Sequence, residues 1–348
     1  MTPLRAVVLV GGFGTRLRPL TFETPKQLLP VAGVPLIERV LGHLHQHGVE
    51  EAVLSLGYRP DMFLERYPDR VCAGVHLDFA VEAEPLDTAG AIRFAAAEAG
   101  IAERFLVVNG DILTGLDLSA LMGFHADRHR SAGAEGTIAL TRVEDPSSFG
   151  VVPTDDDGRV LAFVEKPPRD EAPTDLINAG FYVLEASVLD RIPGDRRVNV
   201  ERETFPAMVA DGVLFALADA APWTDVGTPA RYLDASLSLL PVRGREGTVD
   251  GGVVAPVLLE AGSTVKPGAV VHEAVLGEGV TVADGARVER SVLLAGARVE
   301  ERAVVEHSIV GREAVIGEGA CVRDLTVVGD GEVVPAGAQL SGARVPEV

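Results

Sequence analysis

The sequence predicts an α/β protein in two parts: a Rossmann-like, mostly parallel sheet with helices on both faces, followed by a left-handed parallel β-helix. Three observations carry that expectation. Apolar runs such as Ala6-Val7-Val8-Leu9-Val10, residues 51–56, residues 75–81 and Arg104-Phe-Leu-Val-Val-Asn109 alternate with stretches of helical periodicity. Strands alternating with helices form parallel sheets, because each crossover helix covers one face. From Val253 to Leu340 apolar residues recur every six positions, with three slips to five, and Gly, Ala, Asp and Glu stand between them. β-branched residues at that period read as triangular coils, about five of them, each built from three short units. Third, a short polar stretch, Arg243-Gly-Arg-Glu-Gly247, separates the two regimes. The expected division is therefore a domain over 1–240, a linker over 241–250 and the β-helix over 251–348.

Composition bounds the function. The 348 residues, 47% of them hydrophobic, are enough for two domains with real cores. The chain lacks any apolar run approaching the ~20 residues that a membrane helix needs, and its start does not read as a secretory signal. A cytoplasmic location is expected. Cys72 and Cys321 lie far apart without zinc or C-x-x-C spacing, which suggests reduced, structural thiols. A net charge of −20 and a pI near 4.8 argue against a nucleic-acid partner, since a phosphate backbone needs broad basic surface. Any phosphate must be small and locally held.

The place to hold it is the stretch Leu9 to Pro30. The first strand breaks into Gly11-Gly12-Phe13-Gly14-Thr15, and Arg16, Arg18 and Lys26 face a single acid, Glu23. Bare backbone amides and local cations suit a phosphate, although glycines after a strand also make an ordinary tight turn. Only three lysines occur in the chain, two of them Lys26 and Lys166.

In order, residues 35–47 read as a helix ending at Gly48. His43, His45 and His47 lack a completing carboxylate, so they are expected on the surface or partly packed. Glu82-Ala-Glu-Pro-Leu86-Asp87-Thr88-Ala-Gly90 follows the third strand and opens a helix, with Asp87 or Thr88 as candidate cap. Asn109-Gly110-Asp111 ends the next strand, where Asp111 either caps a turn or holds a metal against a triphosphate. Ser148-Phe149-Gly150-Val-Val-Pro153 and Arg159–Val164 are expected as strands around the turn Asp155-Asp156-Asp157-Gly158. Glu165-Lys166 and Asn178-Ala-Gly180 close the hairpin and open the following strand; a carboxylate, an ammonium and an amide there can hold a sugar phosphate, or form a surface ion pair. Asn199 reads as a helix cap. Asp225, in Trp223-Thr-Asp225-Val-Gly-Thr-Pro, reads as the start of the helix through Arg231.

GGFGTRLRPLT with Pro25-Lys26 resembles the signature of the sugar-1-phosphate nucleotidyltransferases, most closely the mannose-1-phosphate guanylyltransferases. E-x-E-P-L-x-T-A-G, N-G-D, F-G-V-V, V-E-K-P, N-A-G-F and W-x-D-V-G-T-P resemble further motifs of that family. The resemblance implies a reaction: Mg²⁺-dependent transfer of a nucleoside monophosphate from GTP to a sugar 1-phosphate. It implies Arg16 and Lys26 as catalytic residues and Asp111 and Asp225 as Mg²⁺ ligands. Nucleotide contacts would come from Leu9, Gly11, Gly12, Gly14, Thr15, Arg16, Glu82, Leu86, Thr88, Gly90, Asn109 and Gly110. Gly150, Glu165, Lys166, Asn178 and Gly180 would line the sugar-phosphate pocket. Asp87 stands where the family has glycine, which leaves the base contact open, and dTTP, UTP or ATP with another sugar or a cyclitol phosphate stays an alternative. So does a non-catalytic nucleotide-sugar sensor. His272 and His307, the histidines of the β-helix, raise acyl transfer as a competing use; a scaffold for homo-oligomer assembly is the expected role.

Overall fold

The computed structural model describes residues 4–240 and 247–348. Of the linker expected over 241–250, residues 241–246 lie outside the described residues, while Thr248–Val249 already forms a strand of the β-helix. The chain divides into two compact units, Met1–Gly12 with Ile37–Trp223, and Phe13–Leu36 with Thr224–Val348.

The first unit is built on one ten-stranded sheet. Its strands are β1 (Leu4–Leu9), β2 (Val49–Leu56), β3 (Val71–Cys72), β4 (Val75–Val81), β5 (Phe105–Asn109), β6 (Gly136–Arg142), β7 (Gly150–Val151), β8 (Val164–Glu165), β9 (Leu176–Leu184) and β10 (Leu214–Asp219). The order is β8-β7-β9-β5-β1-β2-β4-β3, with β6 beside β9 and β10 beside β6. β1, β2, β4 and β5 run parallel, and β9 joins β5 antiparallel. Val7, Val8, Leu54, Val107 and Val108 are all buried, as expected for central strands covered on both faces. Helix α1 (Leu36–Gln46) precedes β2; α2 (Pro60–Arg66), α3 (Asp87–Glu98), α4 (Leu118–Ala132) and α5 (Phe205–Ala210) follow in order. α3 turns Ala89, Ile92, Ala95 and Ala96 inward, and the three alanines let it lie close against β1 and β2.

Parallel strands deliver their carboxyl ends to one edge, where open α/β sheets bind ligands. Here β1 leads into Gly11, β2 into Gly57, β4 into Glu82 and β5 into Asp111.

Two local expectations change. Arg159–Val164 is not a continuous strand: Thr154 and Val160 form one isolated bridge, Arg159 and Phe215 another, and the ladder resumes only at Val164. The backbone of Val160 bonds Leu214 of β10 instead. The acidic triplet is a turn, with the Asp155 carboxylate accepting from the amides of Asp157 and Arg159. Neither Asp87 nor Thr88 caps α3. The helix begins at Asp87 itself, whose φ is +63°, and the residue before it makes no side-chain cap.

The second unit holds α6 (Pro229–Ser238), the segment 13–36 and the β-helix. Strands stack as three parallel faces. One carries Thr264–Val265, Thr281–Val282, Arg298–Val299, Val315–Ile316 and Val333–Val334 in register. The core column corrects one expected position: Leu293, not Leu294, stacks between Leu276 and Val310. With that change the steps from Leu276 run 6, 6, 5 in two successive coils and then 6, 6, 6 from Val310 to Val328. The short step falls at one corner each time, where Glu273, Arg290 and His307 adopt φ of +45°, +46° and +44°. At that corner of the following coil two residues, Asp324 and Leu325, take positive φ and absorb the extra position. His307 is therefore a corner residue. Each fully buried Val or Leu of this column contributes about 1.5–3 kcal/mol over exposure.

Candidate active site

In the first unit, Leu9 closes β1 between Ser55 of β2 and Asn109 of β5. Its carbonyl accepts from the Gly110 amide at 2.9 Å, fixing the turn that presents Asp111. Gly11 and Gly12 are exposed. A Cβ on Gly11 would stand 3.5 Å from Glu82 Oε1, and one on Gly57 only 3.2 Å from the Gly11 carbonyl oxygen. The loop after β4 thus reaches the glycine loop, as the crevice rule requires.

Glu82 is held from β2 and from its own loop: Ser55 Oγ donates to Oε1 at 2.9 Å and the Leu86 amide to Oε2 at 3.0 Å. The rest of that loop is stitched to residues 198–200. The amides of Ala89 and Gly90 donate to the Val198 carbonyl, the Val198 amide to that of Leu86, and the Val200 amide to Thr88 Oγ1. Asp87 Oδ1 accepts from the Thr88 amide at 2.7 Å and from Asn199 Nδ2 at 3.0 Å.

The expected sugar-phosphate residues also gather in this unit. Gly150 pairs with Glu165, and a Cβ on it would lie 2.5 Å from the Phe163 ring and 3.4 Å from Glu165 Oε2. Lys166 takes φ +48°, pinned by its amide to the Phe149 carbonyl, with Nζ 3.3 Å from Glu165. A non-glycine residue in that region is strained, and such strain clusters at binding sites. Gly180, at φ +77°, leaves room for the Asn109 amide, 2.7 Å from where its Cβ would be. Asn178 is tied to its neighbours. Its Nδ2 donates to the Tyr182 hydroxyl and to Glu201 Oε1, and its Oδ1 accepts from the Gly180 amide, so the side chain is engaged inside the protein.

Glu201 was not expected. Burial, and next the charge of Glu165, push its carboxyl above the usual range. Asn199 caps the turn that carries it, Oδ1 accepting from the amides of Glu201 and Arg202. The cap is readable in the sequence; the carboxylate two residues on carries nothing that sets it apart from an ordinary first-turn acid.

In the second unit, Gly14 at φ +62° opens the short helix Thr15–Leu17, and Thr21 Oγ1 donates to its carbonyl at 2.7 Å. Thr15 and Arg16 are exposed; Lys26 is half-buried, its Cβ 3.4 Å from where a Cβ on Gly14 would be. Gly227 brings Arg16 and Asp225 together. A methyl group there would lie 2.5 Å from Asp225 Oδ1 and 2.6 Å from an Arg16 guanidinium nitrogen, so only glycine fits. Thr228, not Asp225, caps α6, accepting from the Arg231 amide. Asp225 Oδ2 instead accepts from Arg231 Nη1 at 2.8 Å. The sequence alone shows Arg231 only as part of the helix.

Among the described residues, one group could share an ion by proximity: His125, His129 and Glu185. Its bonds are structural. His125 bonds Thr137 and Glu185, His129 the Ala134 carbonyl, and Arg104 Nε donates to Glu185 at 2.7 Å. Both cysteines are free and buried. No helix among the described residues is long and apolar enough to cross a membrane.

A doubly wound parallel sheet whose first strand runs into Gly11-Gly12 at its carboxyl edge, with Asp111 following a neighbouring strand, has the form of a nucleotide-binding α/β domain. The chain belongs to the nucleotidyl transferase family, which residues 5–241 match. Residues 253–346 match the GMPPB C-terminal domain. The mannose-1-phosphate guanylyltransferase of Mycobacterium tuberculosis is 43% identical over 272 residues, 75% of this chain and 74% of that protein. The mannose-1-phosphate guanylyltransferase catalytic subunit beta of Dictyostelium discoideum is 37% identical over 270 residues, 75% and 73% of the two chains. HddC from Yersinia pseudotuberculosis, solved in complex with GMP-PN, is 30% identical with a TM-score of 0.58, covering 68% of this chain and 99% of that one. The resemblance read from the glycine loop holds at the level of the family and the fold.

Proposed function

We propose that the protein transfers GMP from GTP to mannose 1-phosphate, releasing pyrophosphate and forming GDP-mannose. The observation that carries this is the 43% identity to the Mycobacterium tuberculosis enzyme, which extends over three quarters of both chains. The acceptor phosphate oxygen attacks the α-phosphorus of GTP; a P–O bond forms there, and the bond from that phosphorus to the bridging oxygen of pyrophosphate breaks. A sugar phosphate is already ionised near neutral pH, so the attack needs alignment and charge neutralisation more than a general base.

In this reading Glu82, Leu86, Thr88 and Gly90 serve the base, while Leu9, Gly11, Gly12, Gly14, Thr15, Asn109 and Gly110 serve the rest of the nucleotide. Arg16 and Lys26 offset charge on the α-phosphate and the leaving pyrophosphate. Lys166 takes the acceptor phosphate, and Glu165 the sugar hydroxyls, beside Gly150 and Gly180. Asn178 acts indirectly, holding Glu201 and the backbone of Gly180. Asp111 and Asp225 are hard oxygen donors that suit Mg²⁺, and Arg231 orients the Asp225 carboxylate through Oδ2. Bound there, the ion would supply charge stabilisation for the triphosphate. A cytoplasmic setting is in keeping with two buried free thiols, and self-association through the β-helix with the exposed Val270 and Val333 on its outside. Light scattering reads the latter.

The deciding assay offers GTP, ATP, UTP and dTTP with mannose 1-phosphate, glucose 1-phosphate and a cyclitol phosphate, with and without Mg²⁺, and follows pyrophosphate. Fastest turnover with GTP and mannose 1-phosphate is expected; another best pair, or none, refutes the proposal. Lys26→Ala and Asp225→Asn should each lower kcat by about 10²-fold or more while leaving the melting temperature within a few degrees.

A further inference from the structure

The β-helix reads from its period as a scaffold for assembly, yet within the second unit it grips the segment that carries Arg16 and Lys26. Three contacts do so. Arg312 Nη1 donates to Thr24 Oγ1 at 3.1 Å, two residues before Lys26, and Thr24 is buried. The guanidinium is fixed in turn by Asp330 in the next coil, whose Oδ2 lies 3.3 Å from Nη1 and whose Oδ1 accepts from the Arg312 amide at 2.7 Å. Next to Asp330, Gly329 lets Pro19 lie against the coil: a Cβ there would sit 3.1 Å from Pro19 Cβ. On the first coil, Glu260 and Leu258 lie against Gly33, where a Cβ would clash with Glu260 Oε1. α6 adds a fourth hold, the buried Tyr232 hydroxyl donating to the Pro30 carbonyl at 2.6 Å.

The gripped segment has little structure of its own. Between Phe13 and Leu36 it forms two single-turn helices, Thr15–Leu17 and Lys26–Leu28, and a hairpin of two-residue strands. Such a segment takes its shape from whatever packs on it.

We propose that the C-terminal β-helix is a positioning element for the reaction and that Arg312 is a positioning residue. By holding Thr24, it sets where the Lys26 ammonium stands. This rests on the nucleotidyl-transfer reading, and alignment is where it should register, since a misplacement near 1 Å can cost about 10²-fold in rate.

The experiment uses the full chain with Arg312→Ala, Thr24→Val and the double variant. It measures kcat, KM for both substrates, melting temperature and oligomeric state. Thr24→Val keeps shape and removes only the acceptor oxygen. Each single variant is expected to lower kcat about tenfold or more, with both KM values within about threefold and mass and melting temperature near wild type; the double variant should be no slower than the worse single. A kcat in Thr24→Val equal to wild type overturns the proposal, as does a loss that tracks melting temperature or dissociation. If Arg312→Ala does not fold, Thr24→Val alone decides. Wild-type turnover in the nucleotide panel tests the parent reading separately, and the variants are then compared using whichever pair the wild type prefers.

Discussion

Asp87 shows how one side chain can take over a glycine's task. Its φ of +63° lies in the region that costs an L residue about 1–2 kcal/mol, and aspartate tolerates it better than most. Oδ1 holds the strained peptide by accepting from the Thr88 amide and Asn199. The departure from the family's glycine was visible in the sequence. Its meaning was not, because φ and the partner 112 residues away exist only in the fold. Asp87→Gly should therefore keep kcat/KM for GTP within a few fold. Asp87→Val, β-branched and without an acceptor, should lose roughly tenfold or more. Steady-state rates at varied GTP decide it, and equal losses in both variants would show that the carboxylate itself, not the backbone, matters.

Elements differ in how openly the sequence shows them. The strands at residues 6–10, 51–56 and 104–109 are legible because central parallel strands covered on both faces are apolar through most of their length, whereas residues 75–81, with His76 and Val81 exposed, show the alternation of a strand with one open face. Arg159–Val164 looked like a strand for the same apolar reason, and its backbone partners on β10 could not be foreseen. In the β-helix the period was plain and its phase slipped by one residue at Leu293, since two adjacent leucines fit the pattern equally well. α4 hides a further property. Burial, with Arg104 and His129 in support and Glu185 opposing, holds the His125 imidazole below its ordinary value. The unfolded chain takes up a proton near pH 6.5 where the folded chain resists it, so stability present at neutral pH is lost as pH falls through that value toward the lower native one. Glu185, held low by His125 and Arg104 despite burial, adds a loss of the same sign at lower pH. The melting temperature should fall from pH 7 to pH 5.5. His125→Gln should flatten that fall by up to about 1.4 kcal/mol per unit of His125 displacement; an unchanged slope would exclude His125 as its source.

At the scale of the molecule, the sequence suggests a break near residue 240, where strand-and-helix rhythm gives way to period six. The packing divides the chain differently: residues 13–36 cluster with 224–348, so the glycine loop is shared, Gly11 and Gly12 on one unit and Gly14 on the other. No periodicity encodes this, because the contacts responsible, Arg312 to Thr24 and Tyr232 to Pro30, join residues 288 and 202 positions apart. The two views make different claims about a chain ending at Leu240. If 1–240 is autonomous, amide hydrogen exchange across residues 17–36 should be as slow in the shortened chain as in the whole one. If the β-helix shapes that segment, exchange there should accelerate by orders of magnitude, approaching that of an unprotected loop, while β1, β2 and β5 stay protected by their own ladder. We expect the second pattern, with turnover lost although the sheet persists. Slow exchange over 17–36 in the shortened chain would return the segment to the sheet domain and leave the β-helix as a scaffold alone.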